Sequence, residues 1–93
     1  MDGVPSYLVE TYLPRSAASE REACERRARA AADELTREGT SVGFTRAIHV
    51  PEDEVCFFVF AATSALDAER AAERARLDPL RVVEAVSSGE ERS

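Results

Sequence analysis

One stretch decides how this 93-residue chain folds: Val50-Pro51-Glu52-Asp53-Glu54-Val55-Cys56-Phe57-Phe58-Val59-Phe60. Its first half is a charged turn that contains a proline. Its second half begins an apolar run over residues 55–62, which carries three of the four Phe residues. A strand that is apolar on both faces must be covered on both faces. Helices of the same chain cover one face, so we expect a second subunit or a ligand on the other.

The composition is typical of one small globular domain. Of the residues, 44% are hydrophobic and 32% are charged, which excludes a disordered chain. The net charge of −6 argues against nucleic acid and against a membrane surface as partners. Every positive charge is an Arg, which is typical of GC-rich bacterial coding. Residues 1–6 form a short leader without the basic and apolar regions of a signal peptide, which predicts a cytoplasmic protein.

Motifs that would indicate a cofactor are absent from the sequence. It has no Gly-rich phosphate loop and no clustered His and Cys at metal-ligand spacing. Cys24 and Cys56 are far apart, so they are predicted to be two buried apolar groups rather than a disulfide. We therefore expect no cofactor.

Hydrophobic periodicity predicts six elements of secondary structure. Alternating or continuous apolar residues predict strands over residues 7–13, 41–50, 55–62 and 80–86. Two helices are predicted, one capped by Ser19 and running to about Glu38, the other capped by Ser64. Gly39 is the expected left-handed cap of the first helix. Residues 87–93 are predicted to be a polar, disordered tail.

The second strand has an irregular pattern. Its apolar residues of one parity are Val42, Phe44, Ile48 and Val50. Arg46 falls in the same parity and interrupts the apolar set. This interruption predicts either a β-bulge or an exposed sheet edge.

The order strand, helix, strand, strand, helix, strand predicts a ferredoxin-like α+β fold over residues 7–86. In this arrangement both helices lie on one face of a four-stranded antiparallel sheet, whose first and third strands are central. The other face would be bare and largely apolar, which is typical of an interface. We expect the chain to form a homodimer through this face, giving an α+β barrel with a cavity between the two sheets.

Four segments together point to a protein family: ETYLP (10–14), AAADELTREGT (30–40), VPEDEVC (50–56) and RVVEAV (81–86). They resemble a family of small bacterial proteins of unknown function with a ferredoxin-like fold, of which one member type is described as a dimeric nickel-binding protein. The resemblance implies a ferredoxin-like dimer. It carries over no nickel site, because such a site would use several His ligands and His49 is the only His in the chain.

Three residues are candidate catalytic groups: Glu10, Tyr12 and His49. Glu10 lies in the middle of a central strand, and on the cavity side its carboxylate would lose solvation and serve as a base. Tyr12 would lie beside it and orient a ligand or donate a hydrogen bond. His49 is a further candidate base if its ring turns inward. The structural alternatives are a paired carboxylate, a packed tyrosine and a solvated histidine.

Candidates for the lining of a ligand pocket are Leu8, Phe58, Phe60 and Glu84. The Phe residues of the third strand divide between the helix core and the bare face, where they would form dimer contacts or a pocket wall. Glu84 lies in the last strand, which pairs with the first. It would either approach Glu10 and share acid–base work, or form an ion pair with Arg81 or Arg46.

Three functions remain as hypotheses. The first is a homodimer that binds a small apolar or metal-containing ligand in or near the inter-sheet cavity, or that serves as an accessory module, without turnover. The second is a cofactor-free enzyme of the dimeric α+β barrel kind, an oxygenase, cyclase or isomerase acting on an aromatic or polyketide-like substrate. The third is a weak divalent-metal site formed by His49 with carboxylates such as Glu52 and Glu54.

Overall fold

The computed structural model describes residues 4–86. The predicted tail at 87–93 and the first three residues of the predicted leader lie outside the described residues. The strands are β1 (Ser6–Tyr12), β2 (Val42–Val50), β3 (Val55–Ala62) and β4 (Arg81–Ala85). The helices are α1 (Arg21–Arg37) and α2 (Ala65–Arg74). Short 3-10 helices cover Arg15–Glu20 and Pro51–Asp53.

All strand pairs are antiparallel, and the strands form one sheet in the order β2-β3-β1-β4. This order confirms the predicted ferredoxin-like α+β fold, with β1 and β3 at the centre of the sheet. Both helices pack on one side, where they bury one alternating set of strand side chains. The two connections that carry helices are crossovers, and the β2–β3 connection is a tight turn built on Pro51.

The register of β3 against β1 decides which side chains form the core. Phe58 lies opposite Val9, and Phe60 lies opposite Tyr7. All four are buried under the helices, and both Phe rings are at most 1% exposed. Because side chains alternate along a strand, the residues between them in β3 point to the other side of the sheet.

The N-terminus of α1 differs from the prediction. Ser19 was expected to cap this helix, but it lies inside the 3-10 helix that leads directly into α1. The capping position falls on Glu20, which has helical dihedral angles and makes no side-chain capping bond. The capping prediction was wrong because helical backbone begins upstream of Ser19, so no unsatisfied first turn begins there. At the other end Gly39 has a φ of 106°, which confirms the predicted left-handed cap.

The start of α2 agrees with the prediction. The Ser64 hydroxyl accepts a hydrogen bond from the backbone N–H of Asp67 at 3.2 Å. This bond satisfies one of the free donors of the first turn. The inner face of α2 consists of alanines, and Ala68, Ala71 and Ala72 are fully buried. Their small side chains let the helix lie close to the sheet.

A β-bulge interrupts β2 between Phe44 and Arg46, at the residue that breaks the apolar pattern. Before the bulge, Phe44 faces the core, and its ring centroid lies 5.5 Å from that of Phe60. After the bulge, Ile48 lies opposite Phe57 on the side away from the helices. The predicted β-bulge at Arg46 is confirmed, and β2 is also an edge strand. Because the extra residue at Thr45 reverses the alternation, Phe44 and Ile48 point to opposite faces although they share one parity in the sequence.

Candidate functional site

The sheet surface that the helices do not cover is the candidate functional site, and we call it the open face. Its members are the strand residues whose parity is opposite to that of the core. They are Ser6, Leu8, Glu10 and Tyr12 of β1, Gly43, Arg46, Ile48 and Val50 of β2, Val55, Phe57, Val59 and Ala61 of β3, and Arg81, Val83 and Ala85 of β4.

Glu10 and Tyr12 both lie on the open face, which decides between the two faces that the sequence left open for Glu10. The Glu10 carboxylate is not isolated there: its Oε1 accepts a hydrogen bond from Nε of Arg81, in the neighbouring strand, at 2.7 Å. The Glu10 side chain is 21% exposed, and the Phe57 ring lies across from it on β3. Tyr12 is 61% exposed at the end of β1. The paired-carboxylate alternative for Glu10 is the one that the structure shows.

The pocket prediction was wrong for Phe58 and Phe60. Both rings face the helices and belong to the core, whereas Phe57 and Val59 take the open-face positions. Leu8 does lie on the open face, opposite Val59. Because β3 is apolar on both faces, its own sequence does not show which alternating set of side chains faces the helices. The pairing with β1 decides this.

Glu84 also lies away from its predicted position. It is opposite Tyr7, a core residue, and therefore has the helix-side parity of the sheet. Arg81, three residues earlier, has the opposite parity and pairs with Glu10. Arg81 and Glu84 are three positions apart in β4, so their side chains point to opposite faces of the sheet. Because Arg81 shares the face of Glu10, the Glu84 carboxylate lies on the other face, and the expected pair of carboxylates does not form.

His49 is separated from the other two catalytic candidates by the sheet. It lies opposite Cys56, with the parity of the core, and its ring is half-buried. Its Nε2 lies 3.4 Å from the carbonyl oxygen of Leu13. The structure thus brings Glu10 and Tyr12 to one surface and places His49 on the other.

A concavity of about 430 Å³ lies on the open face. Its apolar lining includes Leu8, Ile48 and Val59. Arg46 and Thr45, the residues of the β2 bulge, supply polar groups at its wall. Sequence reasoning did not assign these two residues to a site, although the interruption of the apolar pattern at Arg46 was the available signal.

The open face differs in charge from the rest of the molecule. The chain has a net charge of −6. Within the described strands, the open face carries two guanidinium groups, those of Arg46 and Arg81, and one carboxylate, that of Glu10. Among residues 4–86, Arg81 is paired with Glu10, and Arg46 has no carboxylate within ion-pair distance. The concavity is therefore a locally cationic position on an acidic protein.

The remaining surface offers weaker candidates. A depression of about 500 Å³ is lined by α1 residues alone, among them Glu25, Arg26 and Arg29. It is a space between long side chains of one helix rather than a site assembled by the fold.

Both cysteines are free, as predicted, and burial raises the pKa of Cys56 to about 11. Such a thiol is inert at neutral pH.

Scans against known protein families, curated proteins and solved structures find no match to this chain. The resemblance to the ferredoxin-like family therefore stays a prediction.

None of the helices within residues 4–86 combines the length and apolar character needed to cross a membrane. In the same part of the chain, no three His, Cys, Asp or Glu side chains lie close enough together to hold a metal ion. The hypothesis of a divalent-metal site at His49 therefore has no set of ligands to support it.

Proposed function

We propose that this protein is a homodimeric module that binds a small, mainly apolar ligand between two open faces packed against each other. The observation that carries the proposal is the apolar character of the open face on both central strands. Leu8, Val59 and Phe57 form its centre, and no helix within residues 4–86 packs over them. Leu8 and Phe57 are half-buried, Val59 is 6% exposed, and Ile48 beside them is 41% exposed. An apolar surface of this extent favours burial against a partner.

A second copy of the chain is the occupant that fits the geometry. Four strands spaced about 4.8 Å apart, with about 3.3 Å per residue, present roughly 400 Å² in projection. Because side chains corrugate the surface, two such faces bury on the order of 1,000 Å² of accessible area, which is the lower end for a specific interface. Packed sheets lie about 10 Å apart, and the concavity then becomes an enclosed space.

The oligomeric state tests the dimer. Sedimentation equilibrium of the full chain should give the mass of a dimer, and Leu8→Arg should give that of a monomer, because it places a charge at the centre of the interface. Leu66→Arg is the matched control: Leu66 is an exposed apolar residue on α2, 56% exposed and away from the open face. Circular dichroism should show both variants folded. A monomeric wild type, or a dimer that survives Leu8→Arg and not Leu66→Arg, would overturn the proposal.

The enzyme hypothesis is kept as a second candidate because one observation favours it. Glu10 and Tyr12 share the open face beside the apolar Phe57, and the second carboxylate oxygen of Glu10 accepts no hydrogen bond from residues 4–86. That oxygen would take the proton from a substrate held in the inter-sheet space. The test is turnover of polyketide-like aromatic compounds by the wild type and by Glu10→Gln. Equal turnover by both proteins would remove Glu10 from any mechanism.

A further inference from the structure

We infer that the ligand of the open-face concavity is a small amphipathic carboxylate, with its anionic head on Arg46 and its apolar body over Leu8, Ile48 and Val59. This inference rests on the proposed ligand-binding function and assigns the chemical class of the ligand. It follows from the bulge in β2 and from the charge and the size of the concavity.

The bulge in β2 places Arg46 at the concavity. Phe44 has the parity of the core, so in a regular strand Arg46, two residues later, would share that parity and point toward the helices. The register shift between them turns Arg46 to the open face, opposite Val59. A bulge re-aims a side chain at the cost of local pairing, and bulges are over-represented beside binding sites. Here the re-aimed group is a guanidinium at the wall of an apolar concavity.

The charge around the concavity selects an anion. Arg81, the other cation of the open face, is neutralised by Glu10. Arg46 has no such partner within residues 4–86, and the polar residues Thr45 and Ser6 also line the concavity. A guanidinium matches a carboxylate with two parallel hydrogen bonds, and the match strengthens where water is excluded.

The size of the concavity limits the apolar body. Its volume of about 430 Å³ falls within the range of small-molecule pockets. The space accommodates a carboxylic acid with on the order of ten carbon atoms, aliphatic or aromatic. The apolar lining then covers the body of the ligand while Arg46 holds its head.

The test compares octanoate with 1-octanol, two probes that share a chain and differ in charge. Calorimetric titration of the full-length wild type should show octanoate binding about tenfold more tightly, as one charged hydrogen-bonded contact supplies. Arg46→Gln should remove this preference and leave the affinity for 1-octanol, and Arg46→Lys should keep part of it. Arg70→Gln, which removes an equal charge on α2, should change neither affinity.

The outcomes separate this inference from the proposed function. Equal binding of both probes by the wild type, or a preference that survives Arg46→Gln, would overturn the inference and leave a site for apolar ligands. Binding of neither probe would overturn both. The oligomeric mass is measured on the same samples. A monomer that prefers octanoate, and loses this preference in Arg46→Gln, would refute the proposed dimer and support the anion site.

Discussion

Nε of Arg81 lies 2.7 Å from Oε1 of Glu10, joining the edge strand β4 to the central strand β1 on the open face. Among residues 4–86, Glu10 is the only carboxylate of that face, and the pair holds it beside a guanidinium. Arg81 is 67% exposed, so solvent screens the contact strongly in an isolated protomer. If a second open face covers the pair, the same contact becomes a desolvated ion pair at an interface.

A double-mutant cycle with Glu10→Gln and Arg81→Gln measures this pair. In dilute protein we expect a coupling of at most about 1 kcal/mol, weakening in high salt, because both groups are reached by water. At protein concentrations where the dimer forms, the coupling should increase, since burial reduces the screening. The measurement is chemical denaturation at two protein concentrations. A coupling that is the same at both would contradict burial of the open face.

Phe57 and Phe58 are adjacent in β3 and point to opposite faces of the sheet, so substituting each in turn compares the two faces. Phe58→Ala should lower the free energy of unfolding by about 3–5 kcal/mol, because the ring is 1% exposed and leaves a cavity in the core. Phe57→Ala should cost less in dilute protein and should weaken dimerisation, since Phe57 lies on the open face. Urea denaturation and sedimentation distinguish the two effects. Equal losses of stability without any change in association would contradict the assignment of faces.

The thiol of Cys56 should be almost unreactive in the folded protein. Burial, with a smaller contribution from the nearby Cys24, raises its pKa from 9.0 to about 11. At pH 8 its thiolate fraction is then about 100-fold lower than that of an unperturbed thiol, and the folded structure also blocks access. In a Cys24→Ser variant, labelling by a disulfide reagent should be correspondingly slow and should become rapid in denaturant. Fast labelling of folded protein would contradict this burial.

The raised pKa of Cys56 also sets a pH dependence of stability. Above pH 9 the thiol ionises in the unfolded chain but stays protonated in the folded one until the pH nears 11. The unfolded state therefore binds fewer protons in this range, and stability should fall as pH rises from 9 to 11. Replacing Cys56 by Ala should remove this component. The measurement is the urea midpoint of both proteins across that range.

The two helices are clamped at one end by Arg74. Its guanidinium donates to both carboxylate oxygens of Glu38, at 2.7 and 3.0 Å, and lies 3.5 Å from Glu34. The hydrogen bond from Arg74 lowers the pKa of Glu38. The clamp therefore stabilises the folded protein at pH values above the pKa that Glu38 has in the unfolded chain. This stabilisation is lost as the pH falls through the lower pKa that Glu38 has in the folded protein. Arg74→Gln should reduce the urea midpoint at pH 7 more than at pH 3.

The control for this clamp is Arg70→Gln, one turn earlier on the same exposed side of α2. It removes an equal charge but leaves the contacts of Arg74 with Glu38 intact. Its effect on the urea midpoint should be smaller at pH 7 and similar at both pH values. If both variants lose the same stability with the same pH dependence, general charge rather than the clamp is responsible.

Sequence patterns were sufficient where one local rule decides the structure. The predicted range of β3 matches the observed strand, Val55–Ala62, because an apolar run bounded by a Pro turn and by Thr63-Ser64 has clear ends. The Ser64 cap of α2 was also predicted, since capping chemistry is local. The alternation of β1 placed Glu10 and Tyr12 on one face, but it did not decide which face that is.

By itself, then, the sequence determined the order of elements, the ferredoxin-like fold and the existence of an apolar sheet face beyond the reach of two helices. Tertiary structure alone decided which side chains occupy that face. The register with β1 sent Phe58 and Phe60 to the core and left Phe57 outside, while the β2 bulge turned Arg46 outward. A doubly apolar strand satisfies the alternation rule in either parity, so only hydrogen-bonded pairing with neighbouring strands selects one.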